Sequence, residues 1–488
     1  MRHKMRNRIL LFVLLGCAQP ALAQGSLEQR VRARLAEIGM GTHVGMVVTT
    51  ADGRELIAIS PDDRFIPASN TKMFTTAAVF ASIAGLDQPD ATGGAAVQLK
   101  ANGRRPPDVI LIGNGDARLS SAADCTVDCL GSLADAIAAR ARRVGDIVGD
   151  DSLYPDQRWS PGMSWNNIPS ADGTAISALT LDDNKILLRV SPAAVGEPPR
   201  LELMPYYRVD NSAITIASGK TDLTVSRLPF ERTLRLIGTI AASDETQVLD
   251  LGIDDPADYA AWRLKALLEA RGVKVKGQLQ TRHRPFALSD DPDKRGDAPP
   301  VRAARPEPLA RLTPPPLIED LTTINKVSQN LHAELMIRRV GLVHGTGSIE
   351  DGESVVKSML ASAGVPRTGF DFSDGSGMST YNRVAPRTAV KLLRWIAAQP
   401  WGAAWRATLP IAGVDGTLRN RFKGTPLQGR LFAKTGSLNA THALSGYLIA
   451  KSGQTLTFSV FSNDEPSGAE AKARLAMDAA LELVANEN

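Results

Sequence analysis

Apolar residues at helical spacing, with charges between them, predict an amphipathic helix over 26–38. Two short apolar runs follow, 44–48 and 55–59, on either side of Asp52-Gly53, the pattern of paired strands around a turn. The most apolar stretch comes next. Met73, Phe74, Ala77, Ala78, Val79, Phe80, Ile83 and Ala84 predict a buried helix, and Pro67 stands just before it, where helices begin. Past Gly85 the character changes. Strands over 108–112 and 146–148 each run into a Gly/Asp turn, with a helix over 130–142 between them. The stretch 192–248 alternates and is turn-rich, predicting a small β unit with strands at 201–203, 213–216, 223–225 and 233–236. A helix over 257–270 is closed by Gly272. Residues 282–316, dense in Pro, Arg and Asp, read as an extended surface connector. Helical patterns return at 317–340, 352–363 and 388–398, strands at 429–435, 443–450 and 454–461, and a last helix at 468–485.

A chain of 488 residues has room for about three domains, and 43% hydrophobic with 22% charged residues is ordinary globular composition. The net charge of +4 is accounted for by Arg2, Lys4, Arg6 and Arg8. No basic surplus remains to argue for nucleic acid or a membrane surface as partner. Those four charges, the apolar stretch 9–15 and Ala21-Leu22-Ala23 compose an export leader, 1–23, too short to remain as a membrane anchor. Leu14-Leu15-Gly16-Cys17 resembles a lipoprotein box, but leucine before the glycine matches it weakly, so cleavage near Ala23 and a periplasmic location are expected. Export places Cys125 and Cys129 in an oxidising compartment, where a local disulfide or two buried thiols are both open. No histidine lies near them in sequence, which argues against zinc. Neither a metal nor another cofactor is expected.

The predicted helix at 71–84 carries chemistry at its start. Ser69 and Lys72 are three residues apart, hence on one helix face. A serine hydroxyl needs a neighbouring base to become a nucleophile, and a buried lysine can be one. The motif alone is weak, for S-x-x-K arises by chance about once or twice in such a chain, and it recurs at Ser354-Val355-Val356-Lys357. Two further motifs follow in order. Ser328-Gln329-Asn330 lies near a helix start or a helix–helix turn, and Lys434-Thr435-Gly436-Ser437 ends a strand. S-x-x-K, S-x-N and K-T-G in this order are the signature of penicillin-binding proteins and β-lactamases.

The spacing from Ser69 to Ser328 leaves room for an inserted body. Several stretches match one family pattern: Gly113 to Ser120, Gly149 to Ser152, Leu179 to Asn184, Asp374 to Ser379, Gly416 to Arg419 and Leu444 to Tyr447. With these the chain resembles the class C low-molecular-mass penicillin-binding proteins, the D-alanyl-D-alanine carboxypeptidase/endopeptidase group. One departure is Gln329, where an acidic residue is common. The resemblance implies an α/β (α+β) fold. A transpeptidase-like domain, 24–92 and 306–488, would have an antiparallel sheet with helices on both faces. A second domain, 93–191 and 249–305, would interrupt it, and a β-rich third, 192–248, would interrupt that. It implies peptidoglycan peptides as substrates and β-lactams as covalent inhibitors. Ser69 would be the nucleophile and Lys72 its base. Ser328 would pass the proton between Lys72 and the leaving amine, and Asn330 would hold substrate and Lys72. Lys434, Thr435, Gly436 and Ser437 would bind the substrate, with the N–H groups of Ser69 and Ser437 as oxyanion hole. Arg419 and Arg421 are candidates to line the site. A β-lactamase on the same residues, or a non-catalytic wall-binding module, are the alternatives. The histidines, His332 and His442 among them, have no supporting motif and read as structural or rim residues.

Overall fold

The computed structural model describes residues 25–300, 302 and 307–488. The leader expected over 1–23 lies outside the described residues. Among those described, no helix is long and apolar enough to cross a membrane.

A five-stranded antiparallel sheet organises the part that holds the three motifs. Its order is Leu431–Leu438, Thr441–Ile449, Thr455–Asn463, His43–Thr49, Glu55–Ile59. The chain's first strands thus lie against its last, and the strand bearing Lys434 is an edge. On one face pack Leu27–Ala36 and the C-terminal helix Glu470–Glu487, through Val31, Leu35, Met477, Leu481 and Val484. The other face carries Thr71–Ser82, Leu317–Lys326, Asn330–His344 and Pro386–Ala397, around Phe74, Ala77, Met336 and Leu392. Ten of the twelve residues of Thr71–Ser82 are buried. Burial of that kind, at roughly 25 cal/mol per Å² of apolar surface, holds the helix in place more than its intrinsic propensity does.

Between these halves a mixed five-stranded sheet runs in the order Leu279–Arg284, Ile147–Pro155, Arg105–Ile112, Ala96–Asn102, Ala310–Arg311. The helices Leu130–Ala138 and Pro256–Ala270 pack against it. Two smaller sheets form the β-rich part. One joins Gln247–Gly252, Lys185–Ser191 and Arg200–Leu203. The other gathers Arg208–Asn211, Ile214–Ile216 and Asp222–Ser226 around Thr233–Ala241. The strand Lys185–Ser191 ends at the expected boundary 191, and its partner Gln247–Gly252 runs across the one at 249. Cys125 and Cys129 are joined as a disulfide, Cα–Cα 5.8 Å.

Two expectations about elements change. The helical pattern 317–340 is broken, because Val327, Ser328 and Gln329 separate two helices and Ser328 takes the left-handed conformation at φ 66°. Residues 282–316 are not an uninterrupted extended connector. They contain the end of one strand, the short helix Pro292–Arg295 and the strand Ala310–Arg311. Side chains tie them down: Arg284 Nη2 donates to the Thr346 carbonyl at 3.3 Å and Arg295 pairs with Asp351 at 2.5 Å, while Arg284 and Asp290 pair within the segment at 2.7 Å.

Candidate active site

The sheet, the broken helix pair and the buried helix converge on one cleft. Ser69 lies in the turn Ala68–Asn70 just before Thr71–Ser82, and Ala68 takes φ 46° to make that turn. A left-handed non-glycine residue costs of order 1–3 kcal/mol, and here it precedes the serine directly. Two glycines press on this turn. A Cβ on Gly377 would fall 1.9 Å from the Ala68 carbonyl oxygen, and one on Gly436 2.7 Å from that of Pro67 and 3.1 Å from Ser69 N. The turn therefore rests backbone to backbone on the edge strand and on the 374–379 loop. Asn70 adds a pin, its Nδ2 donating to the Lys434 carbonyl at 3.0 Å.

Lys72 is fully buried and sits one helical turn from Ser69. Its Nζ donates to Ser69 Oγ at 2.9 Å, Asn330 Oδ1 at 2.7 Å and the Ser376 carbonyl at 2.6 Å. These three bonds use all three donors of an ammonium, and none goes to a carboxylate. Burial pulls its pKa down to about 8, against the raising influence of Asp374, Glu334 and Asp172. Those acids are not at random distances. Glu334 accepts from the Gly375 and Ser376 N–H groups at 3.0 and 2.9 Å and pairs with the buried Arg338 at 2.9 Å. Asp374 accepts from Gly377 N, Ser379 N and Asn382 Nδ2 at 2.8, 2.6 and 2.6 Å. Burial, then the Glu334 charge, pushes Asp374 up to about 6. The two acids build the loop whose Ser376 carbonyl holds Lys72.

Asn330 opens its helix and also donates from Nδ2 to the Asp172 carbonyl, 3.2 Å away in the inserted part. Ser328 departs from its expected partner. Its hydroxyl accepts from Lys434 Nζ at 2.9 Å. The physical reason is that Lys72 has no donor left, while the left-handed turn at Ser328 presents its hydroxyl to the edge strand. Lys434 is fully buried too, and burial, then the Lys72 charge, holds its pKa well below the usual lysine value. Thr435 Oγ1 donates to Thr417 Oγ1 at 2.8 Å, Gly436 is buried against the serine turn, and Ser437 is exposed. Hydrogen bonds and backbone contacts thus bring Ser69, Lys72 and Asn330 together and Ser328 onto Lys434, with Gly436 against the serine turn and Thr435 and Ser437 on the same strand. The second S-x-x-K, Ser354 to Lys357, lies within Ile349–Ser362, where Lys357 pairs with Glu353 at 3.5 Å.

Other residues fall elsewhere. Arg421 pairs with Asp478 of the C-terminal helix, and Arg419 is exposed. His442 bonds Glu465 at 2.8 Å, and His332 lies between Asp183 at 3.0 Å and Asp320 at 3.2 Å. Sequence reasoning missed Thr417, Asp172, Glu334 and the Ser376 carbonyl as parts of the site. The stretches Gly416 to Arg419 and Asp374 to Ser379 were the signals for two of them. A buried polar cluster lies behind the cleft. Thr76 Oγ1 donates to the Lys72 carbonyl at 2.8 Å and accepts from Trp405 Nε1 at 3.0 Å. Asn325 Nδ2 reaches Thr408 Oγ1 at 2.7 Å. No group of acids, histidines and cysteines that could hold a metal ion occurs among the described residues.

Residues 27–484 match the D-Ala-D-Ala carboxypeptidase 3 (S13) family. The chain is similar to a D-alanyl-D-alanine carboxypeptidase of Actinomadura sp. (strain R39), 33% identical over 93% of this chain and 85% of that one. It is similar to the carboxypeptidase DacB of Haemophilus influenzae, 25% identical over 88% and 87%. Among solved structures it resembles penicillin-binding protein 4 of Haemophilus influenzae, with TM-score 0.77 and 21% identity over 93% of this chain and 99% of that one. A second structure of that protein, complexed with a β-lactam, gives TM-score 0.73 and 22% identity over 93% and 98%.

Proposed function

The chain belongs to the D-Ala-D-Ala carboxypeptidase 3 (S13) family, and from that premise we propose that Ser69 is the nucleophile of a serine D,D-peptidase and Lys72 its base. The observation that carries this is the bond between Lys72 Nζ and Ser69 Oγ, 2.9 Å, made by a buried lysine with no carboxylate on its amine. Deprotonated Lys72 takes the Ser69 proton as Oγ attacks the scissile carbonyl. Backbone N–H groups of Ser69 and Ser437 receive the developing oxyanion, a contribution of roughly 3 kcal/mol per donor. The proton that Lys72 takes from Ser69 then passes to the amine of the leaving D-amino acid, with the Ser328 hydroxyl, which accepts from Lys434, as its relay, so that Lys72 returns to its free-base form. The outer side of the edge strand Leu431–Leu438 is bridged by Ile411 at Phe432, and the part from Thr435 onward is where an extended peptide can pair. The Lys434 charge and the hydroxyls of Thr435 and Ser437 suit the terminal carboxylate of that peptide. Water then hydrolyses the acyl-enzyme.

The substrate class is a peptidoglycan peptide ending in D-Ala-D-Ala, or a cross-link ending in a D-amino acid, met in the periplasm after loss of the leader. The disulfide between Cys125 and Cys129 supports an oxidising compartment. Intact mass after incubation with penicillin tests the assignment. One penicilloyl adduct is expected on the wild type and none on Ser69→Ala. An adduct of equal yield on the variant would remove Ser69 as nucleophile. A long-lived adduct together with D-alanine release from a D-Ala-D-Ala peptide separates a peptidase from a β-lactamase, which would release the drug quickly.

A further inference from the structure

A second pocket lies on the same face of the five-stranded sheet as Ser69, at the opposite end of its strands. It is a cavity of about 480 Å³ lined by Arg394, Arg406, Tyr447, Thr455, Thr457 and a floor of alanines and glycine. It shares no lining residue with the cleft described above. Thr455 pairs with Ile449, whereas the cleft lies near the Ser437–His442 end of the same ladder.

No carboxylate lines this cavity, and among the described residues neither of its two arginines forms an ion pair. Arg406, on Gly402–Ala407, stacks its guanidinium over Phe432 at 4.2 Å and lies 5.3 Å from the Tyr447 ring. Among the described residues it forms no ion pair. Arg394, on Pro386–Ala397, reaches only the Ala51 carbonyl, at 3.4 Å, and its buried Nε has no partner. Arginines withdrawn from solvent elsewhere in this chain sit on acids: Arg227 on Asp254, Arg339 on Asp90, Arg338 on Glu334. Arg394 and Arg406 are only partly buried, so water still reaches them, and no carboxylate of the cavity wall neutralises their charge, which leaves a positive site open to an anion. Partial burial pulls the pKa of Arg406 below its ordinary value.

We propose that this cavity binds a small organic anion, with a carboxylate or phosphate head between Arg394 and Arg406 and an apolar body against the alanines and the Tyr447 ring. The guanidinium fork matches a planar or tetrahedral oxyanion through paired N–H donors. The hydroxyls of Thr455 and Thr457 supply further polar contacts, and the remaining wall is apolar, as in most small-molecule sites.

Crystals soaked in 4-bromobenzoate locate the anion directly by anomalous scattering from bromine. Bromine between Arg394 and Arg406 is expected; bromine confined to the Ser69 cleft, or absent, overturns the proposal. In solution, benzoate and phenyl phosphate are titrated by calorimetry against protein whose cleft is blocked by penicillin, at constant ionic strength set with chloride. Saturable binding by either probe is expected, and the stronger of the two identifies the head group. Arg394→Gln should weaken it about tenfold or more, the loss of a charged hydrogen-bonding partner. Arg406→Lys keeps a charge and should retain part of the affinity. Binding equal in wild type and Arg394→Gln would overturn the proposal. If protein with the cleft unblocked binds these anions and blocked protein does not, they belong to the cleft alone, and the second pocket is refuted without touching the assignment of Ser69.

Discussion

Burial lowers the pKa of Lys72 to about 8, while Asp374, Glu334 and Asp172 oppose that fall. Below that value Lys72 holds its proton and cannot accept one from Ser69, so acylation by a β-lactam should rise with pH and be half-maximal near 8. Glu334→Gln removes one negative charge that favours the protonated amine, while its amide oxygen can still accept from the Gly375 and Ser376 N–H groups. The midpoint should therefore move to lower pH. Stopped-flow acylation with a chromogenic cephalosporin across a pH series measures it, and an unmoved midpoint would remove Glu334 from the electrostatics of the base. At this scale much of the site was legible in the sequence, since Ser69 and Lys72 owe their meeting to a spacing of three across the turn Ala68–Asn70 into the helix Thr71–Ser82. The acceptor that completes Lys72 was not. It is a backbone carbonyl at Ser376, and any residue type carries one.

The elements around Ser69 meet with almost no side chain between them. At Gly377 the backbone has φ 89° and an added Cβ would overlap the Ala68 carbonyl oxygen. Gly377→Ala should push the Ala68–Ser69 turn off the strand and reduce the acylation rate constant by about a hundredfold, the scale of an ångström of misplacement. The thermal midpoint should change far less, because the displaced turn is local. Rate and melting temperature measured on one preparation decide this, and an unaltered rate would mean that the turn does not depend on the glycine. Strands and helices were readable from their apolar periods, and the edge strand came out longer than 429–435 because Ser437 and Leu438 still pair with His442 and Thr441. The break at Ser328 was hidden from the apolar pattern, since Leu321, Ile324 and Leu331 keep helical spacing across it, and only the Ser328-Gln329-Asn330 motif pointed to a helix start or helix–helix turn there. Only the backbone conformation at Ser328 shows where one helix stops.

Across the whole molecule, His332 fastens the inserted part to the helices of the catalytic part. Its ring lies between Asp183, in the insertion, and Asp320, which also accepts from Arg118 Nε at 2.7 Å. Burial opposes its charge, but the hydrogen bonds to Asp183 and Asp320 win and raise its pKa to about 9. A histidine with a raised folded-state value stabilises fully below its unfolded pKa near 6.5 and loses that contribution as pH climbs through 9. His332→Gln should thus cost up to about 3 kcal/mol at pH 6 and progressively less towards pH 10. Melting curves of both proteins over that range test it, and a pH-independent gap would assign the loss to packing. The long interval between Ser69 and Ser328 left room in the sequence for an inserted body. The tethering of 282–316 could not be anticipated, because it rests on Arg295 meeting Asp351 and Arg284 meeting the Thr346 carbonyl, partners that no local pattern gives them.

The order of strands in the central sheet carries a consequence for how the chain comes to be folded. His43–Thr49 lies between its hairpin neighbour and Thr455–Asn463, so Val48 waits for Phe458 and Met46 for Val460. During synthesis the hairpin and the apolar helix after Ser69 emerge early, yet the sheet they rest on does not exist until the ribosome has passed residue 463. Closing a loop of that length adds only a few kcal/mol in entropy, because the cost grows with the logarithm of length. The delay, however, leaves Phe74, Ala77 and Ala78 exposed while the inserted domains have already been made. Ser69 is among the first residues to appear and among the last to be housed.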